Sequence, residues 1–167
     1  MHRLLIIRHA KSDWPEGVPD HERPLGPRGE RDAPAVGSWL VEEGWIPHRA
    51  IVSTARRTRE TWQLLSDQLP EPPVASFQER LYAAPWRELL AVVQELPEEV
   101  PIAALVGHNP GCEELASELA GPGDGAARAE MAHKFPTSGV AVIELENHWS
   151  ATRPGEGILI DFQAPRG

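Results

Sequence analysis

Short, unbroken apolar runs separated by stretches of helical period constrain this chain more than any other feature. Leu4–Ile7, Ala50–Val52, Ile102–Val106 and Val140–Leu145 are such runs, and Ile158–Phe162 is the last of them. Each is too short for a buried helix and is bounded by polar, glycine or proline residues, so each reads as a strand. Strands apolar at nearly every position are buried on both faces, which is the pattern of a parallel sheet covered by helices. The stretches between them supply those helices. Arg28 to about Glu43 sets Ala33, Val36 and Leu40 at helical spacing and stops at Gly44, a C-cap residue, while Pro34 suits a first turn better than an interior. Arg56–Leu69 carries Thr58, Thr61, Trp62, Leu65 and Leu69 on one side and stops before Pro70. Pro85–Leu96 opens on proline and stops before Pro97, and Asn109 caps a helix from Pro110 to Leu119 that closes at Gly121. Gly121–Gly125 reads as a loop, and the last two strands form a hairpin with a longer loop around Trp149. The expected architecture is α/β, a three-layer sandwich with a mostly parallel, mixed central sheet and helices on both faces.

Composition narrows the class. A length of 167 residues is about one domain at ~150 residues each, and no repeat or long linker divides 1–167. With 41% apolar and 25% charged residues the chain has the make-up of a globular protein, which argues against disorder. Leu4–Ile7 is far short of the ~20 residues that span a bilayer and lacks a signal-peptide cleavage site, so a cytoplasmic protein away from membranes is expected. A single cysteine, Cys112, excludes an internal disulfide framework and a cysteine-rich zinc site; its position near a helix start favours a reactive thiol less than a buried structural one. The net charge of −9 argues against nucleic acid as a partner. That charge is unevenly placed, since residues 1–60 carry 10 Lys/Arg against 9 Asp/Glu and residues 61–167 carry 6 against 16. Arginine is concentrated in the first third of an acidic chain.

In open α/β sheets, ligands bind beyond the carboxyl ends of the strands. Arg8 and His9 follow the first run, Ser53 with Arg56 and Arg57 follow the second, and His108 and Asn109 follow the third. Three strand ends thus bring arginine or imidazole to one edge, an arrangement that packing does not call for. Arginine forks and the N-terminus of the helix after Asn109 suit a phosphate or carboxylate. Two histidines also raise the possibility of a metal, but helical His pairs and accompanying carboxylate ligands are absent and the arginines would repel a cation, so no metal or other cofactor is expected. Dinucleotide, P-loop and nucleophile-elbow glycine patterns are absent as well.

These residues resemble a known family. Leu5-Ile6-Ile7-Arg8-His9-Ala10-Lys11-Ser12-Asp13-Trp14 resembles the N-terminal signature of the histidine phosphatase superfamily, in the Arg-His-Ala-Lys-Ser form of its SixA-type branch, the small phosphohistidine phosphatases. Arg23-Pro24-Leu25 with Arg28-Gly29, Ser53-Thr54-Ala55-Arg56-Arg57-Thr58-Arg59-Glu60-Thr61, Leu105-Val106-Gly107-His108-Asn109-Pro110-Gly111 and Phe135-Pro136-Thr137-Ser138-Gly139 resemble its later blocks in order. Two positions depart from the pattern: Thr54 stands in place of a proline, and Gly26 where related branches carry Thr or Ser.

The resemblance implies a phosphohydrolase with His9 as nucleophile and Arg8, Arg57 and His108 as ligands of the phosphoryl oxygens. It implies Glu79, in Glu79-Arg80-Leu81-Tyr82, as the proton donor, with Asp13, Asp20 and Glu22 as alternatives. Lys11, Ser12, Arg23 and Asn109 are then candidate substrate-binding residues at the pocket, and a phosphorylated protein bearing phosphohistidine, or a small phosphate ester, is the implied partner. An imidazole leaving group needs less help from an acid than an alkoxide does. Two other readings compete: a broad phosphomonoesterase in which Glu79 is essential, and a catalytically silent phosphate-binding adaptor that keeps the fold.

Overall fold

A computed structural model describes residues 1–121 and 125–167. Residues 122–124, within the Gly121–Gly125 segment read as a loop, lie outside the described residues. Six strands form one sheet: β1 (His2–Arg8), β2 (Arg49–Ser53), β3 (Val74–Gln78), β4 (Ile102–Gly107), β5 (Val140–Leu145) and β6 (Ile158–Gln163), in the order β3-β2-β4-β1-β5-β6. β3, β2, β4 and β1 run parallel, while β5 is antiparallel to both β1 and β6. The sheet is therefore mixed and mostly parallel, as its apolar runs predict.

Alternation along the strands divides the core into two. On one face Leu5, Ile7, Ala50, Val52, Ala104, Val106 and Val142 pack against Val36 and Leu40 of α1 (Pro27–Glu43) and Trp62 and Leu65 of α2 (Arg56–Ser66). On the other, Leu4, Ile6, Ile51, Leu105 and Ile143 meet α3 (Trp86–Gln94), α4 (Gly111–Ala120) and α5 (Ala126–His133) through Leu89, Leu115 and Met131. Every one of these side chains is nearly sealed from solvent, each burial contributing on the order of 1.5–3 kcal/mol for the larger ones. Among the described residues no helix is long and apolar enough to cross a membrane.

The helices differ from expectation mainly at their ends. α1 takes Pro27 in its first turn, so Pro34 falls in its interior, where its ring removes an N–H from the helix; the expectation of a first-turn Pro34 is corrected. Gly44 does close α1 in the left-handed region, at φ +76°, where a side chain would be strained. α2 ends at Ser66 rather than Leu69 because its last turn tightens into bonds from Gln68 N–H to Leu65 and from Leu69 N–H to Ser66. Pro85 precedes α3 instead of opening it, and α4 starts at Gly111. The hairpin of β5 and β6 is present, and Trp149, in its connection, is fully buried with its indole N–H on the Val100 carbonyl at 2.9 Å.

Candidate active site

Parallel pairing sets the carboxyl ends of β1, β2, β3 and β4 along one edge of the sheet. Arg8 is in register with Gly107, so His9 and His108 leave neighbouring strands side by side, and His9 N–H donates to the Gly107 carbonyl at 3.0 Å. Their rings sit with centroids 5.4 Å apart. β5 enters from the opposite direction, which brings the turn before it under His9: Ser138 N–H donates to the His9 carbonyl and Arg8 N–H to that of Gly139.

The protonation of His9 follows from its surroundings. Its Nδ1 lies 2.7 Å from the Ala10 carbonyl oxygen, which can only accept, so Nδ1 carries the hydrogen. Burial pushes the ring's pKa down to about 3, with the charges of His108, Arg57 and Arg8 acting in the same direction against the Ala10 hydrogen bond. His9 is thus neutral at pH 7 with its Nε2 lone pair free. His108 is held down to about 4, again by burial first and by Arg57 among its neighbours. Its Nε2 lies 2.8 Å from Ser53 Oγ.

The arginines are sorted by burial. Arg57 is buried, whereas Arg56 is exposed and pairs with Glu60, and Arg59 lies outside on the Thr54 carbonyl. Arg57 donates through Nη1 to the Asp20 carbonyl at 2.7 Å and through Nη2 to Asp20 Oδ2 at 3.1 Å. Arg8 donates through Nη1 to the Phe135 carbonyl at 3.0 Å. What remains is a set of buried nitrogens: Arg8 Nε, Arg57 Nε and His108 Nδ1 have no hydrogen-bond partner among the described residues. A buried unpaired polar group costs about 1–3 kcal/mol, and these three nitrogens come from residues at or just beyond the ends of β1, β2 and β4.

Comparison with known proteins decides the family. The histidine phosphatase superfamily (branch 1) matches residues 4–104. The chain belongs to that superfamily. An uncharacterized Mycobacterium tuberculosis protein, Rv1276c, is 39% identical over 162 residues, covering 96% of this chain and 100% of its own length. Among solved structures, a candidate phosphohistidine phosphatase SixA from Nakamurella multipartitia superposes with a TM-score of 0.87 at 27% identity, covering 98% of this chain and 96% of that one. A candidate SixA from Agrobacterium tumefaciens gives 0.81 at 29%, covering 98% of each. Within that superfamily the chain is similar to these SixA structures along nearly its whole length. The match to the superfamily ends at Ala104, so His108 lies beyond it and rests on the strand-end geometry above.

The other residues singled out for this histidine phosphatase fall into two groups. Ser12 and Arg23 are buried behind Asp20: Arg23 donates to Asp20 Oδ1 at 3.0 Å and to Ser12 Oγ at 2.8 Å, and its guanidinium lies 3.5 Å from the centre of the exposed Trp14 ring. Asn109 has both ends of its amide engaged, Nδ2 on the Phe135 carbonyl and Oδ1 accepting from Glu113 N–H in the first turn of α4. Lys11 and Glu79 are exposed, Glu79 one residue past the end of β3 and on the site's edge of the sheet. Cys112 is buried, and burial raises its thiol to about 12, so it is an inert core residue.

Two residues outside the expected binding set shape the site. Asp20, on the 3₁₀ turn Asp20–Glu22, accepts from Arg23, Arg57 and the Tyr82 hydroxyl, the last at 2.5 Å. Chiefly through Tyr82, these bonds hold the carboxyl well below its usual range, so Asp20 is an anion at pH 7. Tyr82 stands edge-on to His108, with ring centroids 5.6 Å apart, and to His21 at 4.8 Å. Tyr82 follows Glu79 by three residues, and being the one tyrosine in the chain was a usable signal. The two departures from the family pattern are explained locally. Thr54 Oγ1 lies 2.9 Å from His21 Nε2, a contact proline cannot make. At Gly26 a Cβ would fall 2.4 Å from Asp13 Oδ1, leaving no room for Thr or Ser without moving Asp13.

Proposed function

We propose that the chain hydrolyses phosphohistidine, or another simple phosphorylated group, through a phosphohistidine intermediate on His9. The observation that carries this reading is the trio of buried, unpartnered nitrogens, Arg8 Nε, Arg57 Nε and His108 Nδ1, near a neutral imidazole. His9 Nε2 attacks phosphorus in line with the leaving group, and the three donors each take one nonbridging oxygen, stabilising charge as it develops. The bond from phosphorus to the leaving nitrogen or oxygen breaks with its electron pair. Water then attacks the phosphorus of the intermediate and returns His9 to its neutral form, releasing phosphate.

The neutral, oriented nucleophile supports turnover over a purely binding role, because binding an anion needs the arginines but gains nothing from a free lone pair beside it. The likeness to candidate SixA structures supports a phosphohistidine-bearing protein as substrate. The test is a trap of the phosphoenzyme. Wild type and His9→Ala are incubated with labelled phosphoramidate and quenched in alkali by rapid mixing. Alkali-stable, acid-labile label on wild type and none on the variant is the expected result. Phosphate release without label at the shortest quench times would replace the covalent route by direct attack of water, and neither label nor release, even with phosphohistidine peptides, would leave an anion-binding module.

A further inference from the structure

We propose that Ser53 is a positioning residue that fixes the tautomer of His108, so that His9 offers the phosphoryl group a lone pair and His108 offers it an N–H. This rests on the reading of His108 as a phosphoryl ligand. Ser53 is the last residue of β2, fully buried, and β2 pairs with β4, which delivers His108. Its hydroxyl lies between two groups. Ala55 N–H donates to Ser53 Oγ at 3.4 Å, and His108 Nε2 stands 2.8 Å from the same oxygen.

A serine hydroxyl has one hydrogen to give. Ala55 N–H takes one of the oxygen's two lone pairs, and in the proposed arrangement the hydroxyl hydrogen points at Nε2, which then accepts. A neutral imidazole with an accepting Nε2 carries its hydrogen on Nδ1. His108 Nδ1 is the atom that is buried with no partner among the described residues. In this tautomer it is a donor without a partner among the described residues. In the opposite one, Nε2–H would donate to Ser53 and Nδ1 would turn a lone pair toward the incoming anion, which repels it. His9 is pinned the other way round, Nδ1 donating to the Ala10 carbonyl. Each ring is thus fixed through one nitrogen by the strand-end backbone or its neighbour, and the two free nitrogens have opposite character.

The experiment is 15N NMR of the full chain labelled in histidine, at pH 7, with the His108 signals identified by their loss in His108→Asn. In wild type His108 is expected to be protonated on Nδ1 and bare on Nε2. Ser53→Ala should move it toward the other tautomer and lower both turnover and vanadate affinity roughly tenfold, the size of one hydrogen bond in a buried site. Ser53→Thr, which keeps the hydroxyl, should retain the wild-type tautomer. A wild-type His108 protonated on Nε2, or a Ser53→Ala spectrum unchanged at His108, overturns the assignment of Ser53. The first of these needs no variant to fold. A tautomer that moves in Ser53→Ala while turnover and vanadate binding do not would uphold the role of Ser53 in setting the tautomer and remove His108 from phosphoryl binding.

Discussion

Asp20 and Arg57 are joined twice, side chain to side chain at 3.1 Å and guanidinium to main-chain carbonyl at 2.7 Å. The second bond orients the guanidinium whatever the charge on the carboxyl, and the first places a negative charge next to a donor proposed to bind phosphoryl oxygen. The carboxylate and a phosphoryl dianion therefore compete for the same field. Asp20→Asn keeps an oxygen for Tyr82 and Arg57 but removes the charge. Vanadate is expected to bind this variant about three- to tenfold more tightly, a change on the order of 1 kcal/mol for one charge near a partly solvated site. Titration with vanadate at two ionic strengths checks it, the difference shrinking at high salt. Weaker binding would mean that the charge serves mainly to hold Arg57 in place.

Acid should destabilise the fold through its two site histidines. His9 is pushed down to about 3 and His108 to about 4, against about 6.5 in an unfolded chain. Between about 6.5 and 4 the unfolded state binds the protons that the folded state refuses, so the stability of the neutral rings is full above 6.5 and falls as pH drops. Each ring contributes a slope of up to about 1.4 kcal/mol per pH unit in that window. Denaturant unfolding of wild type and His9→Asn at pH 7, 6 and 5 measures it. The variant should lose less stability per pH unit than wild type, and equal slopes would contradict the burial of a neutral His9.

Which parts of this molecule are legible from sequence follows from where each part finds its partners. β1, β2, β4 and β5 announce themselves because burial on both faces demands continuous apolar residues. β3 does not: it is an edge strand paired only with β2, and Val74 and Phe77 are exposed. α5 is hidden for a similar reason, since Met131 is its single buried side chain and sets no period. At the site, Arg8, His9, Ser53 and His108 are readable from the rule that strand ends carry the chemistry. Asp20 and Tyr82 come from connecting turns, and only the tertiary fold brings residues 62 positions apart into contact. Arg23 illustrates a further difficulty, because its position near the mouth was visible but its burial against Ser12 and Asp20 was not.

The turn beneath His9 stores strain. Ser138 has φ +62°, a left-handed conformation unusual for a residue with a Cβ, and its buried hydroxyl has no partner among the described residues. Glycine adopts this φ freely and leaves no hydroxyl to satisfy, though it gains entropy in the unfolded chain. Ser138→Gly is expected to stabilise the fold by about 1 kcal/mol, a rise in Tm of roughly 2–4 °C for a chain of this size. Thermal unfolding at pH 7.5 reads it directly. A fall in Tm would show that the serine side chain makes packing contacts worth more than its strain.

Glu79 tests which leaving groups the site can expel. It lies one residue beyond β3, on the edge that carries His9, and its side chain is exposed. An alkoxide is a poor leaving group and needs a proton in the transition state, a service usually worth 10²–10⁴-fold. An imidazole leaving from phosphohistidine carries its own basic nitrogen and depends on such a donor far less. If Glu79 is the donor, Glu79→Gln should cut turnover of a phosphate monoester such as p-nitrophenyl phosphate's alkyl analogues by at least tenfold more than turnover of phosphoramidate. The same variant should form the His9 phosphoenzyme from phosphoramidate at close to the wild-type rate, because that step draws on Arg8, Arg57 and His108. Equal losses on both substrates would take Glu79 out of proton transfer. With Asp20 held ionised by Tyr82, Arg23 and Arg57, the proton for monoesters would then have to come from Asp13, Glu22 or water.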